Sequence, residues 1–121
     1  MRGAVERYFA AINAEDWAAL ADVFTPDVEI STVGAAPVRG RDAALAYFPR
    51  LLAGYTEHTD TVTRWIEAPD AIVTEIGFDG RLADGRPVVF DALDVFDLRD
   101  GRIARVRTWF DTRDVRRQVR S

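Results

Sequence analysis

Val5, Tyr8, Phe9 and Ile12 recur at helical spacing, which predicts a helix over residues 3–14. Asp16 can cap a second helix that puts Trp17, Leu20, Ala21 and Phe24 on one face. Residues 27–32 alternate as a short strand, with Val28, Ile30 and Thr32 on one side and Glu29 and Ser31 on the other. A loop over 33–40 leads to a helix from Asp42 to Phe48. Pro49 should kink or end that helix, with Leu51 and Leu52 packing just beyond. The remainder reads as strands over 59–67, 71–79, 87–98 and 102–111, joined by turns at 68–70, 83–85 and 99–101. Asp111 can cap a short last helix, 112–120. Helices first and an antiparallel meander after make an α+β domain.

Within the third long strand, Asp91, Asp94, Asp97 and Asp100 recur every third residue. That spacing would suit a helix, but the neighbours are strand formers, and in a strand an odd step changes face. Asp94 then shares its side with Val88, Phe90, Ala92, Phe96 and Leu98, a row otherwise apolar. Asp91 and Asp97 lie on a more mixed side, and Asp100 falls in the turn. Asp94 is therefore the candidate buried carboxylate. Without a cation beside it, its charged form loses hydration most and its pKa should rise. The same pattern also fits a buried Asp satisfied by an amide or hydroxyl, with no catalytic duty.

The pairing of this strand with the last one has two solutions. A two-residue Asp100-Gly101 turn would set Asp94 beside Arg107. A three-residue Arg99-Asp100-Gly101 loop, with Gly101 left-handed in a bulge, would set it opposite Val106. The second is preferred, because it pairs Phe96 with Ala104, Ala92 with Thr108 and Phe90 with Phe110. It also keeps Arg105, Arg107 and Trp109 as an outer-face stripe.

Composition narrows the chemistry. The 121 residues suffice for one modest core, and 48% apolar with 30% charged residues fits a soluble globular chain. A cytoplasmic location is the default, since neither a signal peptide nor an apolar run of spanning length is visible. Net charge is −4 and the basic residues are scattered, which argues against nucleic acid. There is no Cys, so thiol nucleophiles, disulfides and thiolate metal sites are excluded. All sixteen basic residues are Arg, so no lysine Schiff base can form. Such all-Arg, Ala-rich usage is typical of a high-GC bacterial source. Ser31, Ser121 and His58 are the only residues of their types, with no glycine elbow for a serine triad and no set for a His-rich zinc site. Carboxylates, Tyr, Thr, Arg and one His remain, which favours acid–base or hydrogen-bond chemistry on a small molecule without a cofactor or metal. His58 is the one side chain that ordinarily titrates near neutrality; it lies at the start of the first long strand, near a pocket rim. Glu57, Asp60 and Glu75 read as solvated-face residues.

Three stretches, RYFAAINAEDWAALADVF (7–24), VRGRDAALAYF (38–48) and DALDVFDLRDGRIARVRTWFD (91–111), carry a resemblance to a known superfamily. The chain resembles the cone-shaped fold of nuclear transport factor 2 and its enzymatic relatives: ketosteroid isomerase, SnoaL-type polyketide cyclases and limonene epoxide hydrolase. The resemblance implies one domain over residues 1–121, with three helices packed on a curved, mostly antiparallel sheet. Ketosteroid isomerase is the nearest chemical match. Its oxyanion-hole Tyr falls at Tyr8, and its protonated Asp, kept neutral by an apolar site, falls at Asp94. Its general-base Asp falls at Thr32, and two further tyrosines fall at Phe24 and Phe48. The Arg and Asp of epoxide hydrolases fall at Ile76 and Phe78, and an inward Asp of hydrolases and cyclases at Thr108. These replacements remove the epoxide hydrolase reading and leave the donor pair.

The expectation is thus a small enzyme acting on an apolar carbonyl compound such as a polyketide or terpenoid. Tyr8 and Asp94 would donate hydrogen bonds to an enolate-like oxygen, with the proton moving through His58, water or the substrate. The pocket should be lined by Phe48, Ile76, Phe78, Phe90, Val106 and Phe110, with Thr32 and Thr108 as polar contacts. In relatives the outer sheet face often makes a homodimer. A binding module for an apolar ligand on the same fold is the alternative.

Overall fold

The computed structural model describes residues 2–120. The first helix, α1 (Gly3–Ala14), buries Val5, Tyr8, Phe9 and Ile12 and ends at Glu15, whose φ of 53° is left-handed. Helix α2 (Trp17–Val23) starts at Asp16, whose carboxylate accepts from the Ala19 amide at 3.1 Å. Phe24, expected on the face of that helix, instead opens strand β1 (Phe24–Thr32) in extended conformation. It pairs in parallel with Ile103 and is fully buried, so strand pairing wins over helical continuation. The expected loop 33–40 ends in a two-residue strand, β2 (Val38–Arg39), against Glu29 and Ile30.

Helix α3 spans Arg41–Leu52 and does not stop at Pro49. Pro49 costs one backbone hydrogen bond, but burial of Phe48 and Leu52, four residues apart on one face, holds the last turn. Leu51, expected to pack, is 51% exposed.

Four long strands follow: β3 (Tyr55–Glu67), β4 (Ala71–Leu82), β5 (Pro87–Arg99) and β6 (Arg102–Phe110). Two of them reach further than the alternation alone indicated, β3 beginning at Tyr55 and β4 running to Leu82. Helix α4 (Thr112–Arg120) is capped by Asp111, which accepts from the Asp114 amide at 3.0 Å. The sheet order is β2-β1-β6-β5-β4-β3, with only β1 and β6 parallel among the described pairs. The sheet is open and curved, and bulges interrupt β1, β3 and β6. Helices α1–α3 cover its inner face, where Tyr8 and Phe9 meet Phe96 edge-on at 5.0 and 5.7 Å. Burying such a side chain contributes roughly 1.5–3 kcal/mol. No helix among the described residues is long and apolar enough to cross a membrane.

The β5–β6 hairpin corrects both expected registers. Asp100 (φ 52°) and Gly101 (φ 77°) form a two-residue left-handed turn, with Arg99 opposite Arg102 and Leu98 opposite Ile103. One extra residue, Ala104, is then bulged out, so that Asp97 faces Arg105. Beyond the bulge Phe96 faces Val106, Asp94 faces Thr108 and Ala92 faces Phe110. The tight turn alone would have swung Arg105 and Arg107 inward; the bulge returns the apolar set to the core. From Arg105 onward the faces match the expectation, while the partners lie two residues further along; before the bulge Ile103, not Ala104, faces the core.

Candidate functional site

The inner face of β1 and β3–β6, together with α1, α3 and α4, lines a cavity of about 170 Å³. Tyr8 reaches it from α1, one turn before Ile12, and Asp94 from the middle of β5. Tyr8 is fixed by edge-on rings, Phe9 at 5.0 Å and Phe48 at 6.0 Å, which leaves its ring little freedom. Asp94 is 5% exposed. The Thr108 hydroxyl donates to its Oδ1 at 2.5 Å, leaving Oδ2 free to carry a proton. Tyr55, Phe78, Phe90 and Phe110 form a continuous aromatic wall with ring separations of 5.1, 4.7 and 5.4 Å.

A second carboxyl group lines the same cavity. Asp60, on the inner face of β3 beside Phe78, read from sequence as a solvated residue. The strand HTDTV alternates polar with polar and gives no apolar row to reveal its inner side. Tertiary structure supplies what the pattern lacks. Asn13, in the last turn of α1, donates from Nδ2 to the Asp60 carbonyl at 3.0 Å and accepts from the Asp60 amide at 2.9 Å. This pair of bonds pins Asp60 under the end of the helix. Tyr47 and Tyr55 were also missed; Tyr47 and Thr32 share a 2.8 Å hydrogen bond at the cavity wall.

Among the described residues, no Arg or His lines the cavity. Burial therefore acts on its acids unopposed by a cation on the wall. It pushes Asp94 up to about 7, against the Thr108 hydrogen bond and with help from the charge of Asp60. It pushes Asp60 up to about 6, with the charge of His58 pulling the other way. It raises Tyr8 well above the usual phenol value, with Asp94, Asp60 and Tyr47 adding to the shift. Three acidic groups thus surround one apolar space and discourage one another's ionisation. Near neutral pH such a set holds at least one proton ready to donate.

Two expected site residues stand elsewhere. The His58 side chain is 4% exposed but does not line the cavity. Its Nε2 lies 3.0 Å from a carboxylate oxygen of Glu15, at the left-handed end of α1, and its Nδ1 has no hydrogen-bond partner among the described residues. Val106 is fully buried opposite Phe96, because the bulge moves Thr108 into the place beside Asp94 that Val106 was expected to fill. Thr32, Phe48, Ile76, Phe78, Phe90, Thr108 and Phe110 do line the cavity with Tyr8 and Asp94.

A protein of nuclear transport factor 2-like fold from Burkholderia pseudomallei superposes with a TM-score of 0.90 at 18% identity, over 98% of this chain and 96% of that one. A hypothetical protein with a ketosteroid isomerase-like fold from Catenulispora acidiphila, in complex with trimethylamine, gives 0.86 at 20% identity over 95% and 90%. An LEH-like epoxide hydrolase from M. tuberculosis gives 0.82 at 25% identity over 97% and 87%. Comparison with curated proteins gives no significant match. The model of the SnoaL-like domain matches residues 5–106, through all three stretches of sequence except the end of the last strand. By that match the chain belongs to the SnoaL-like domain family, within the nuclear transport factor 2-like superfamily.

Proposed function

We propose that the cavity is an active site that enolises a small apolar carbonyl compound, with Tyr8 and protonated Asp94 donating hydrogen bonds to the carbonyl oxygen. The observation that carries this is the convergence of a phenol and a proton-holding carboxyl on one apolar cavity whose walls bear no cation. As the enolate forms, charge grows on the oxygen, and donors already in place stabilise the transition state more than the ketone. Thr108 holds one oxygen of Asp94, which fixes the direction of the other. The volume sets the scale of the substrate. An engineered apolar cavity of about 150 Å³ takes up benzene, so about 170 Å³ suits one ring or a short branched chain.

The test is exchange of α-hydrogens for deuterium on small cyclic ketones in D₂O, followed by NMR. The wild-type protein should accelerate exchange, and Asp94→Asn and Tyr8→Phe should each raise the barrier by ~2.7–4 kcal/mol while unfolding normally. Equal rates in all three proteins would remove the donor role.

A binding module is the second reading. It is favoured by Thr32, which stands where the resemblance places a base and is engaged with Tyr47. Such a protein would bind phenols or enones in this cavity yet leave exchange at the buffer rate.

A further inference from the structure

We propose that Asp60 is the general base of this site, taking the α-proton of the bound carbonyl compound from the β3 wall. The inference rests on the enolisation reading given above. The position expected to hold the base is Thr32, whose hydroxyl cannot accept a proton from carbon at neutral pH. A base must therefore come from elsewhere on the cavity wall. Among the described residues lining the cavity, only Asp60 and Asp94 carry carboxyl groups, and no His is present. Asp94 is engaged by Thr108 and serves as a donor. Asp60 sits two strands away, on β3, with β4 between it and β5. A ligand whose oxygen meets Tyr8 and Asp94 thus has a second carboxyl within the same enclosure.

Its surroundings suit the role. The two hydrogen bonds from Asn13 hold the Asp60 backbone from both sides and leave the carboxyl uncommitted. Its side-chain oxygens have no protein hydrogen bond among those described, so they remain available to a substrate. The influences on its charge divide by sign. Burial resists its ionisation and His58, two residues earlier on the same strand, favours it, while the charge of Asp60 in turn raises Tyr8 of α1 and Asp94 of β5. Glu15, at the end of α1, holds that imidazole from the other side. Two carboxyls in one enclosure resist being charged together. The state in which Asp60 is ionised and Asp94 protonated supplies one acceptor and one donor at once. His58 favours that division and is a positioning residue for Asp60 rather than a group that meets substrate.

The step balances without a co-reactant. The Asp60 carboxylate forms an O–H bond with the α-hydrogen as the C–H bond breaks. The released electron pair becomes the carbon–carbon double bond of the enolate, and the carbonyl oxygen takes the negative charge between Tyr8 and Asp94. Asp60 then delivers a proton, the one it took or one exchanged with solvent, to the γ-carbon, or to the α-carbon, which restores the ketone and the carboxylate. A β,γ-unsaturated ketone leaves as its conjugated isomer.

The experiment uses the full chain and a β,γ-unsaturated cyclohexenone, read by the absorbance of its conjugated isomer, with phenol binding measured in parallel by calorimetry. Asp60→Asn should lower the isomerisation rate by roughly 10²–10⁴-fold. Phenol, which needs only the donors, should bind Asp60→Asn within about threefold of wild type and bind Asp94→Asn more weakly. Asp60→Ala should be slow, and added acetate should restore part of its rate. His58→Gln should move the acidic limb of the pH–rate profile upward with little change in phenol affinity. If Asp60→Asn keeps the wild-type rate while Asp94→Asn and Tyr8→Phe lose it, Asp60 is not the base and the donor pair stands. If the wild type neither isomerises the probe nor exchanges α-hydrogens, both the base and the enolisation reading fall.

Discussion

Asp94 and Asp97 stand three residues apart on β5 and meet opposite fates. Asp97 points to the outer face, where Arg105 Nε donates to it at 2.7 Å and an Arg107 nitrogen lies 3.5 Å away. Asp94 points inward, where among the described residues its hydrogen-bond donor is a neutral hydroxyl, that of Thr108. The residue type is the same and the strand is the same. What differs is which side of the sheet supplies guanidinium groups. Outside, cations and water keep a carboxylate charged at little cost; inside, aromatic walls make the charge expensive and the proton stays. The chain has concentrated its acids without cations on the face that encloses a cavity, which is where a functional site gains from displaced pKa values.

The contrast can be broken most forcefully at the neighbours of these residues. Phe96, on the inner row, packs against Tyr8 and Phe9, and Phe96→Ala should cost about 3–5 kcal/mol in urea unfolding. Leu93, on the outer row and 37% exposed, should tolerate Ala within roughly 1 kcal/mol. Similar losses at both would mean that the two faces are not distinct.

The next largest effect is on pH. Asp94 keeps its proton up to about 7 when folded and releases it near its ordinary value when unfolded. Between roughly pH 4 and 7 the folded state therefore binds the extra proton, and stability falls as pH rises, by up to ~1.4 kcal/mol per unit. Asp60 adds a change of the same sign that ends near 6. Asp94→Asn should flatten most of this slope and unfold at higher urea than wild type at about pH 8. A wild-type midpoint independent of pH over this window would contradict the buried, proton-holding Asp94.

Two glycines of β4 sharpen the comparison further. A Cβ at Gly80 would lie 2.7 Å from both the Phe78 and Tyr55 rings, whereas one at Gly77 would meet nothing within 4 Å. Gly80→Ala should cost about 1–3 kcal/mol and disturb the aromatic wall. Gly77→Ala should be neutral or stabilise by up to ~1 kcal/mol, since alanine has less freedom to lose. Smallest is Asp97→Asn, whose half-buried ion pairs should be worth roughly 0.2–1 kcal/mol and fade with added salt. A cost that persists at high salt would show that Asp97 holds the hairpin by more than charge.

Much of this was legible before folding. The inward aim of Asp94 follows from alternation alone, because its row carries Val88, Phe90 and Phe96 while Asp97 falls on the other parity. The caps at Asp16 and Asp111 follow from local hydrogen-bond chemistry. Pro49 does not end α3, because a proline speaks only for its own missing donor, and the burial of Leu52 lay outside the local signal. Asp60 and His58 misled because a strand of alternating polar residues has no inner side until a helix closes over it.

The sequence by itself determined the order of the helices and long strands, the family, and the two faces of β5, since periodicity and capping act over a few neighbouring residues. Tertiary structure alone decided which residues meet. The bulge at Ala104 chose Thr108 as the partner of Asp94, and the end of α1 drew His58 to Glu15 and Asp60 under Asn13. Those choices depend on how a curved sheet closes against its helices, where one extra residue or one long-range hydrogen bond moves a side chain into the cavity or away from it.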